Sequence, residues 1–153
     1  MKAKNQHISQ VNKRTQLEDV IPLSTPFTIF IEPSDKCNFR CKFCPTGDIN
    51  IIKNLNNRNH GNIDLKLYKK IIDDISSFDN SIKVLQLHKD GEPLLNPNLC
   101  DMIKYAKDSS NIDQVVTTTN ASLLNDDLSI ALIDAGLDRI RISIEGINSE
   151  QYY

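Results

Sequence analysis

No stretch of this 153-residue sequence approaches the ~20 consecutive apolar residues that a membrane-crossing helix requires. The opening segment carries Lys2, Lys4, Lys13 and Arg14 but lacks the apolar run that follows such residues in a secretory signal. The sequence therefore predicts a protein that stays in the cytoplasm. Neither sign of charge is in excess. Lys and Arg number 18 against 20 Asp and Glu, a formal net charge of −2, so no broad basic surface and no nucleic-acid partner are expected. No internal repeat points to a solenoid. Cysteine is sparse too, and the four present would make a thin disulfide framework. Three of them fall between positions 37 and 44, which suits metal binding in a reducing compartment better. What is plentiful is ordinary: 39% hydrophobic and 25% charged residues, in a chain long enough to bury a core.

Residues 1–24 are polar and aperiodic and read as a leader; residues 25–153 read as one core domain. Phe27 to Ser34 is rich in strand formers and runs into a cysteine-bearing loop. An Asn-rich irregular stretch from Asp48 to Asn62 follows, ending in the turn residues His60, Gly61 and Asn62. Leu65, Tyr68, Ile71, Ile72, Ile75 and Phe78 then recur at helical spacing behind Asp64, a natural N-cap. Strands are expected over Ile82–Leu87, Val115–Thr119 and Arg139–Glu145. Between them lie a helix bearing Leu99, Met102, Ile103 and Ala106 and another bearing Leu128, Leu132 and Ala135. The latter is capped near Asn125 and closed by Gly136. This β-α-β-α-β-α-β rhythm is that of parallel βαβ units.

The strands alternate in character. Ile140, Ile142 and Ile144 interleave with Arg139, Arg141, Ser143 and Glu145, and Leu85 and Leu87 interleave with Gln86 and His88. A parallel sheet covered by helices on both faces reads as a continuous apolar run instead. One face of this sheet therefore meets helices and the other something polar. That is either solvent or the wet interior of a barrel whose chemistry sits at the strand C-termini.

The loop after the first strand reads Cys37-Asn38-Phe39-Arg40-Cys41-Lys42-Phe43-Cys44-Pro45, a C-x3-C-x2-C spacing. Thiolates are soft ligands, suited to iron–sulfur clusters or zinc. A fully protein-ligated 4Fe–4S cube takes four of them, so three leave one iron open to an exogenous ligand.

At this point the sequence resembles the radical S-adenosylmethionine (SAM) superfamily, whose motif is C-x3-C-x-aromatic-C, with Phe43 in the aromatic position. Gly91-Glu92-Pro93 is similar to that family's "GGEP" segment, Thr118-Thr119-Asn120 to its "TTN", and Ser143-Ile144-Glu145-Gly146 to its "SxDG" or "SxEG". The resemblance implies a partial (β/α)6 barrel, of which this chain holds the front portion, stopping after the fourth strand. It implies that Cys37, Cys41 and Cys44 bind three irons of a 4Fe–4S cluster, while the methionine end of SAM chelates the fourth. Phe43 would touch the adenine. The backbone around Gly91 and the side chain of Glu92 would receive the methionine ammonium. Ser143 and Glu145 would hydrogen-bond the ribose or carboxylate. The implied activity is reductive cleavage of SAM to a 5′-deoxyadenosyl radical acting on an unknown substrate, with flavodoxin or ferredoxin as electron donor.

Two positions depart from the family's pattern: Asp90 replaces the first glycine of "GGEP", and Ala121 the glycine that commonly follows "TTN". Rival readings are a non-catalytic iron–sulfur module, a zinc site with His60, His88 or Cys100 as fourth ligand, and an inactive truncated remnant. Cys100, beside an apolar helix face, reads as a packed residue. His88 reads either as a lumen residue near substrate or as an ordinary hydrogen-bonded histidine. Arg139 and Arg141 read as binders of an anionic substrate or as partners of Glu32 or Glu145.

Overall fold

The computed structural model describes residues 15–48 and 61–146. Four strands, β1 (Thr28–Phe30), β2 (Val84–Gln86), β3 (Val115–Thr119) and β4 (Arg139–Ile142), form one sheet in the order β1-β2-β3-β4. Every pair is parallel, with Phe30 opposite Gln86, Gln86 opposite Val116, and Thr118 opposite Arg141. Helices α1 (Leu65–Ile75), α2 (Leu99–Asp108) and α3 (Asp126–Asp134) make the three crossovers. The class is α/β with a parallel sheet, as the sequence rhythm requires.

Helices α1 and α3 start at side-chain caps, and α3 stops at a glycine, whereas α2 has no side-chain cap. Asp64 caps α1 by accepting from the backbone N–H of Lys66 and Leu67 at 2.9 and 3.3 Å. Asn125 caps α3 by accepting from Leu128 N at 2.9 Å. Past the end of α3, Gly136 takes φ +89° and Leu137 N bonds back to Leu132 O, a left-handed stop that a Cβ would strain. Helix α1 buries Tyr68, Ile72 and Ile75, and α2 buries Leu99, Met102, Ile103 and Ala106. They meet Ile31, Leu85, Leu87 and Val115 from the sheet in one apolar core. The Tyr68 hydroxyl, fully buried, donates to Met102 O at 3.0 Å, so the phenol is satisfied where the helices cross.

The strands are shorter than their apolar runs. Ladder bonds continue singly beyond them, from Ile31 N to Gln86 O, Leu87 N to Val116 O and Ser143 N to Thr119 O. At that C-terminal edge the chains part to form loops. Of the expected leader, residues 15–24 are described: Leu17–Asp19 form a single 3-10 turn. Most of the Asn-rich stretch, with His60, and the helix expected to open near Asn148 lie outside the described residues. Among the described residues, no helix is long and apolar enough to cross a membrane.

Candidate active site

The cysteine loop leaves β1 and is folded tightly on itself. Cys44 N bonds Cys41 O at 3.1 Å, and Gly47 N bonds Cys44 O at 2.9 Å. A Cβ on Gly47 would lie 2.1 Å from Cys41 O, so only glycine allows this turn. Arg40 reaches back with Nη1 to Cys37 O and Phe39 O, at 2.7 and 2.9 Å, and fixes the first half of the loop.

Three strand ends are then tied to this loop. Glu32, just past β1, accepts with Oε1 from Asp90 N and Gly91 N at 2.7 and 3.0 Å. Glu92 N donates to Lys36 O at 2.7 Å. A Cβ on Gly91 would stand 2.0 Å from Ser34 O, a backbone atom that cannot yield, so glycine here is a condition of the close approach. Asp90, the departure from "GGEP", leaves this turn undisturbed: its N–H is held by Glu32 and its carboxylate pairs with Lys89 at 3.2 Å. Ala121, the other departure, adopts φ +59°, the left-handed conformation that the family's glycine would take without strain.

Glu92 is 2% exposed, and its carboxylate joins the ends of β2 and β3. Oε1 accepts from Leu94 N at 3.0 Å and from the Thr119 hydroxyl at 2.6 Å; Oε2 accepts from Asn120 N at 2.8 Å. About four acceptor sites exist on a carboxylate, and three are taken by the protein itself. One acceptor site is left over, so the internal bonding is compatible with the ligand contact that the resemblance implies. Burial and internal bonding make Glu92 the tie that positions the loop.

All eight expected site positions line one cavity of about 160 Å³ at the C-terminal edge of the sheet: Cys37, Cys41, Cys44, Phe43, Gly91, Glu92, Ser143 and Glu145. The three thiols are free and half-buried. Phe43 is 70% exposed at the rim. Among the described residues, no three His, Cys, Asp or Glu side chains are drawn together as ligands of a single metal ion. Burial pushes the Cys41 thiol up, and Cys37, Cys44 and Glu145 push it further. Three thiolates in one place repel, and a cationic metal core reverses that preference. Hydrogen-bonding groups already face two of the sulfurs. Phe39 N lies 3.4 Å and Asn120 Nδ2 3.8 Å from Cys37 Sγ, while Cys44 Sγ and Thr46 Oγ1, 3.0 Å apart, share a hydrogen bond that either can donate, the Thr46 hydroxyl also reaching Asp90 O at 3.2 Å. Three soft ligands with hydrogen-bond support, around one cavity, fit an iron–sulfur cluster.

Cys100 stands apart from this cavity, half-buried against the core on α2, and its thiol too is pushed up by burial. His88 does line the cavity. Its Nε2 is 3.3 Å from Thr118 Oγ1, its Nδ1 is buried with no hydrogen-bond partner among the described residues, and burial and then Arg141 push its pKa down. Arg141 pairs with neither Glu32 nor Glu145 in a salt bridge; Nη1 donates to Gln86 Oε1 at 3.0 Å. Sequence reasoning gave no role to Thr46 or to the Asn120 side chain and offered Glu32 only as a partner for Arg139 or Arg141; their partners here lie 28 to 83 positions away. A larger hollow of about 370 Å³, lined in part by Phe27, Lys83 and Asp113, lies at the opposite strand ends and contains no such ligand set. Chemistry, not volume, distinguishes the two.

The profile of the radical SAM superfamily matches residues 31–153. A probable GTP 3′,8-cyclase of Methanococcus maripaludis is 34% identical over 127 residues, covering 82% of this chain and 38% of the relative. The tungsten-containing aldehyde ferredoxin oxidoreductase cofactor-modifying protein of Pyrococcus furiosus is 27% identical, over 80% of this chain and 32% of its own length. The chain thus spans about a third of the length of the curated relatives it matches. The crystal structure of BtrN in complex with AdoMet and 2-DOIA superposes with a TM-score of 0.64 at 24% identity, covering 76% of this chain and 45% of that one. That likeness supports the fold, the front strands of a partial barrel. With its cysteine loop, its strand-end motifs and a profile match over most of its length, the chain belongs to the radical SAM superfamily, whose cofactors are a 4Fe–4S cluster and S-adenosylmethionine.

Proposed function

We propose that this chain holds a 4Fe–4S cluster through Cys37, Cys41 and Cys44 and presents its open iron to SAM as the initiating part of a radical enzyme. The observation that carries this reading is the convergence of three free thiols and the ends of β2, β3 and β4 on one cavity. When bound, cluster and SAM supply a one-electron cleavage of the sulfonium that leaves methionine and a 5′-deoxyadenosyl radical. A donor such as flavodoxin or ferredoxin provides the electron, and a reducing cytoplasm suits the thiols.

The chain's own residues bind, orient and shield. Backbone carbonyls near Gly91, with the remaining acceptor site of the Glu92 carboxylate, would take the methionine ammonium. Phe43 covers the adenine from the rim. Ser143 and Glu145 offer a hydroxyl and a carboxylate to the ribose or methionine carboxylate. Asn120 Nδ2 faces Cys37 Sγ and would, with a cluster bound, donate to that ligand sulfur and raise the reduction potential, while Thr46 Oγ1 lies beside Cys44 Sγ and donates to Asp90 O. Relatives that share this segment bear names for unlike tasks, among them a GTP cyclase and a haem synthase. The common segment accordingly serves the common radical-forming step. No observation favours the zinc module or the inactive remnant.

The test is the EPR spectrum of the anaerobically reconstituted, reduced chain with and without SAM. A changed spectrum is expected; an unchanged one from an intact cluster would leave only a bare iron–sulfur module.

A further inference from the structure

Beside the cofactor cavity, the lumen face of the sheet carries a polar patch for which the radical-forming step has no use. His88, past the end of β2, meets Thr118 of β3, and Thr118 stands in register with Arg141 of β4. Arg141 reaches across β3 to Gln86, the last residue of β2 and two positions before His88. Two of these four, His88 and Thr118, also line the cavity that holds the cysteines. The patch is thus continuous with the place where a substrate would have to lie.

Its chemistry is unbalanced. A guanidinium has five N–H donors, and Arg141 is seen to use Nη1 on a neutral amide. No salt bridge joins it to a described carboxylate. Glu32, the acidic side chain at the end of β1, has Oε1 occupied by the amides of Asp90 and Gly91. Burial, and then the neighbouring Arg141, disfavour the charged form of His88, whose ring adds hydrogen-bonding capacity beside the guanidinium. Gln86 Oε1, by accepting from Arg141, orients its own amide N–H groups as further donors. A half-buried cation flanked by neutral donors is matched by an oxyanion, which takes two parallel N–H bonds from arginine.

We propose that Arg141, with Gln86 and Thr118 beside it, is the anchoring subsite for an anionic group, carboxylate or phosphate, on the molecule this site acts upon. The proposal rests on the radical SAM reading for its meaning, but its test does not depend on a cluster. Anchoring the anion on the sheet floor would hold the rest of the substrate toward the cavity mouth, where the cysteine loop closes the site.

The experiment uses the full chain with ¹⁵N-labelled arginine side chains, kept anaerobic. Inorganic phosphate and, separately, acetate are titrated against chloride at fixed ionic strength while the Arg141 guanidinium and His88 ring signals are followed by NMR. Saturable shifts of both signals are expected. Arg141→Gln should weaken the binding read at the His88 ring at least about tenfold, the loss of one charge-assisted contact, and Arg141→Lys should fall between. Tighter saturation by phosphate identifies a phosphorylated substrate; tighter saturation by acetate identifies a carboxylic acid. Shifts that are linear and equal to those in chloride, or equal affinity in Arg141→Gln, overturn the subsite. The SAM-dependent EPR change of the wild type is recorded in parallel. Its absence alongside saturable anion binding removes the cofactor reading and leaves the subsite standing.

Discussion

On the helix side of the sheet, Leu85, Leu87 and Val115 are fully buried and belong to one apolar core with Tyr68, Ile72, Met102 and Ile103. On the other side, the alternate positions Gln86, His88, Thr118 and Arg141 are half-buried and bonded to one another. A strand's period of two places these unlike neighbours one residue apart. Packing on the first face is non-directional, so many apolar residues of similar volume would serve. On the second face and along the loop edge above it, each side chain has a particular partner at a particular distance. Stability is therefore concentrated on one side and chemistry on the other, and the division can be broken at chosen points.

The largest effect is expected at the cysteine loop. Replacing Cys37, Cys41 or Cys44 with alanine should abolish the cluster, whereas Cys100→Ala, on the core side, should leave it intact. Iron and sulfide per chain after anaerobic reconstitution are the measurement, with about four irons expected in the wild type. A full cluster in Cys41→Ala would end the ligand assignment.

Next come one residue from each region. Leu85→Ala removes a fully buried side chain and should cost about 2–5 kcal/mol of unfolding free energy, read from the urea midpoint. The SAM affinity of the folded fraction should not move. Glu92→Gln is nearly isosteric but turns one of two engaged oxygens into a donor facing other donors. It should cost about 1–3 kcal/mol and also weaken SAM binding, because the Gly91 turn and Asn120 lose their common tie. Equal SAM affinity in Glu92→Gln and wild type would show that the two regions are not divided as described.

The same division explains what was legible in the sequence. Among the described residues the three α-helices and four strands were visible, because each buries a periodic apolar face and periodicity is local information, whereas the short 3-10 turns were not. The caps at Asp64 and Asn125 and the stop at Gly136 were visible for the same reason. The motif positions were legible in the sequence, and all eight line one cavity. What was not legible is how the site is held. Glu92 sits where the motif leads one to expect a ligand contact, yet its bonds run to Thr119 and Asn120, a strand away. Glu32 showed nothing local to suggest that it clamps Asp90 and Gly91, 58 and 59 positions on. Arg141 found an amide rather than a carboxylate, a choice set by the register of β3 against β2 and β4. Polar partnerships across a sheet depend on register and loop path, and neither is written in a local pattern.

The smallest expected effect probes the loop edge at Ala121, the one non-glycine residue with positive φ among the described residues. Ala121 follows Asn120, which is fixed from several sides: Ser122 N and Oγ donate to its Oδ1 at 3.0 and 2.7 Å, and its Nδ2 donates to Asn38 Oδ1 at 3.0 Å. To let the chain turn there, Ala121 adopts φ +59°, with its N–H on Thr119 Oγ1 and its carbonyl accepting from Leu124 N. A left-handed alanine costs about 1 kcal/mol or more relative to glycine, while glycine gives back part of that through a freer unfolded chain. Ala121→Gly should therefore stabilise the chain by at most about 1 kcal/mol, a rise in Tm of roughly 2–4 °C for a chain of this size. Cluster content should be unchanged, since the bonds from Asn120 remain available. A fall in Tm on this substitution would mean that Ala121 is held by packing rather than by turn geometry, and the loop edge would then be built on the same terms as the core.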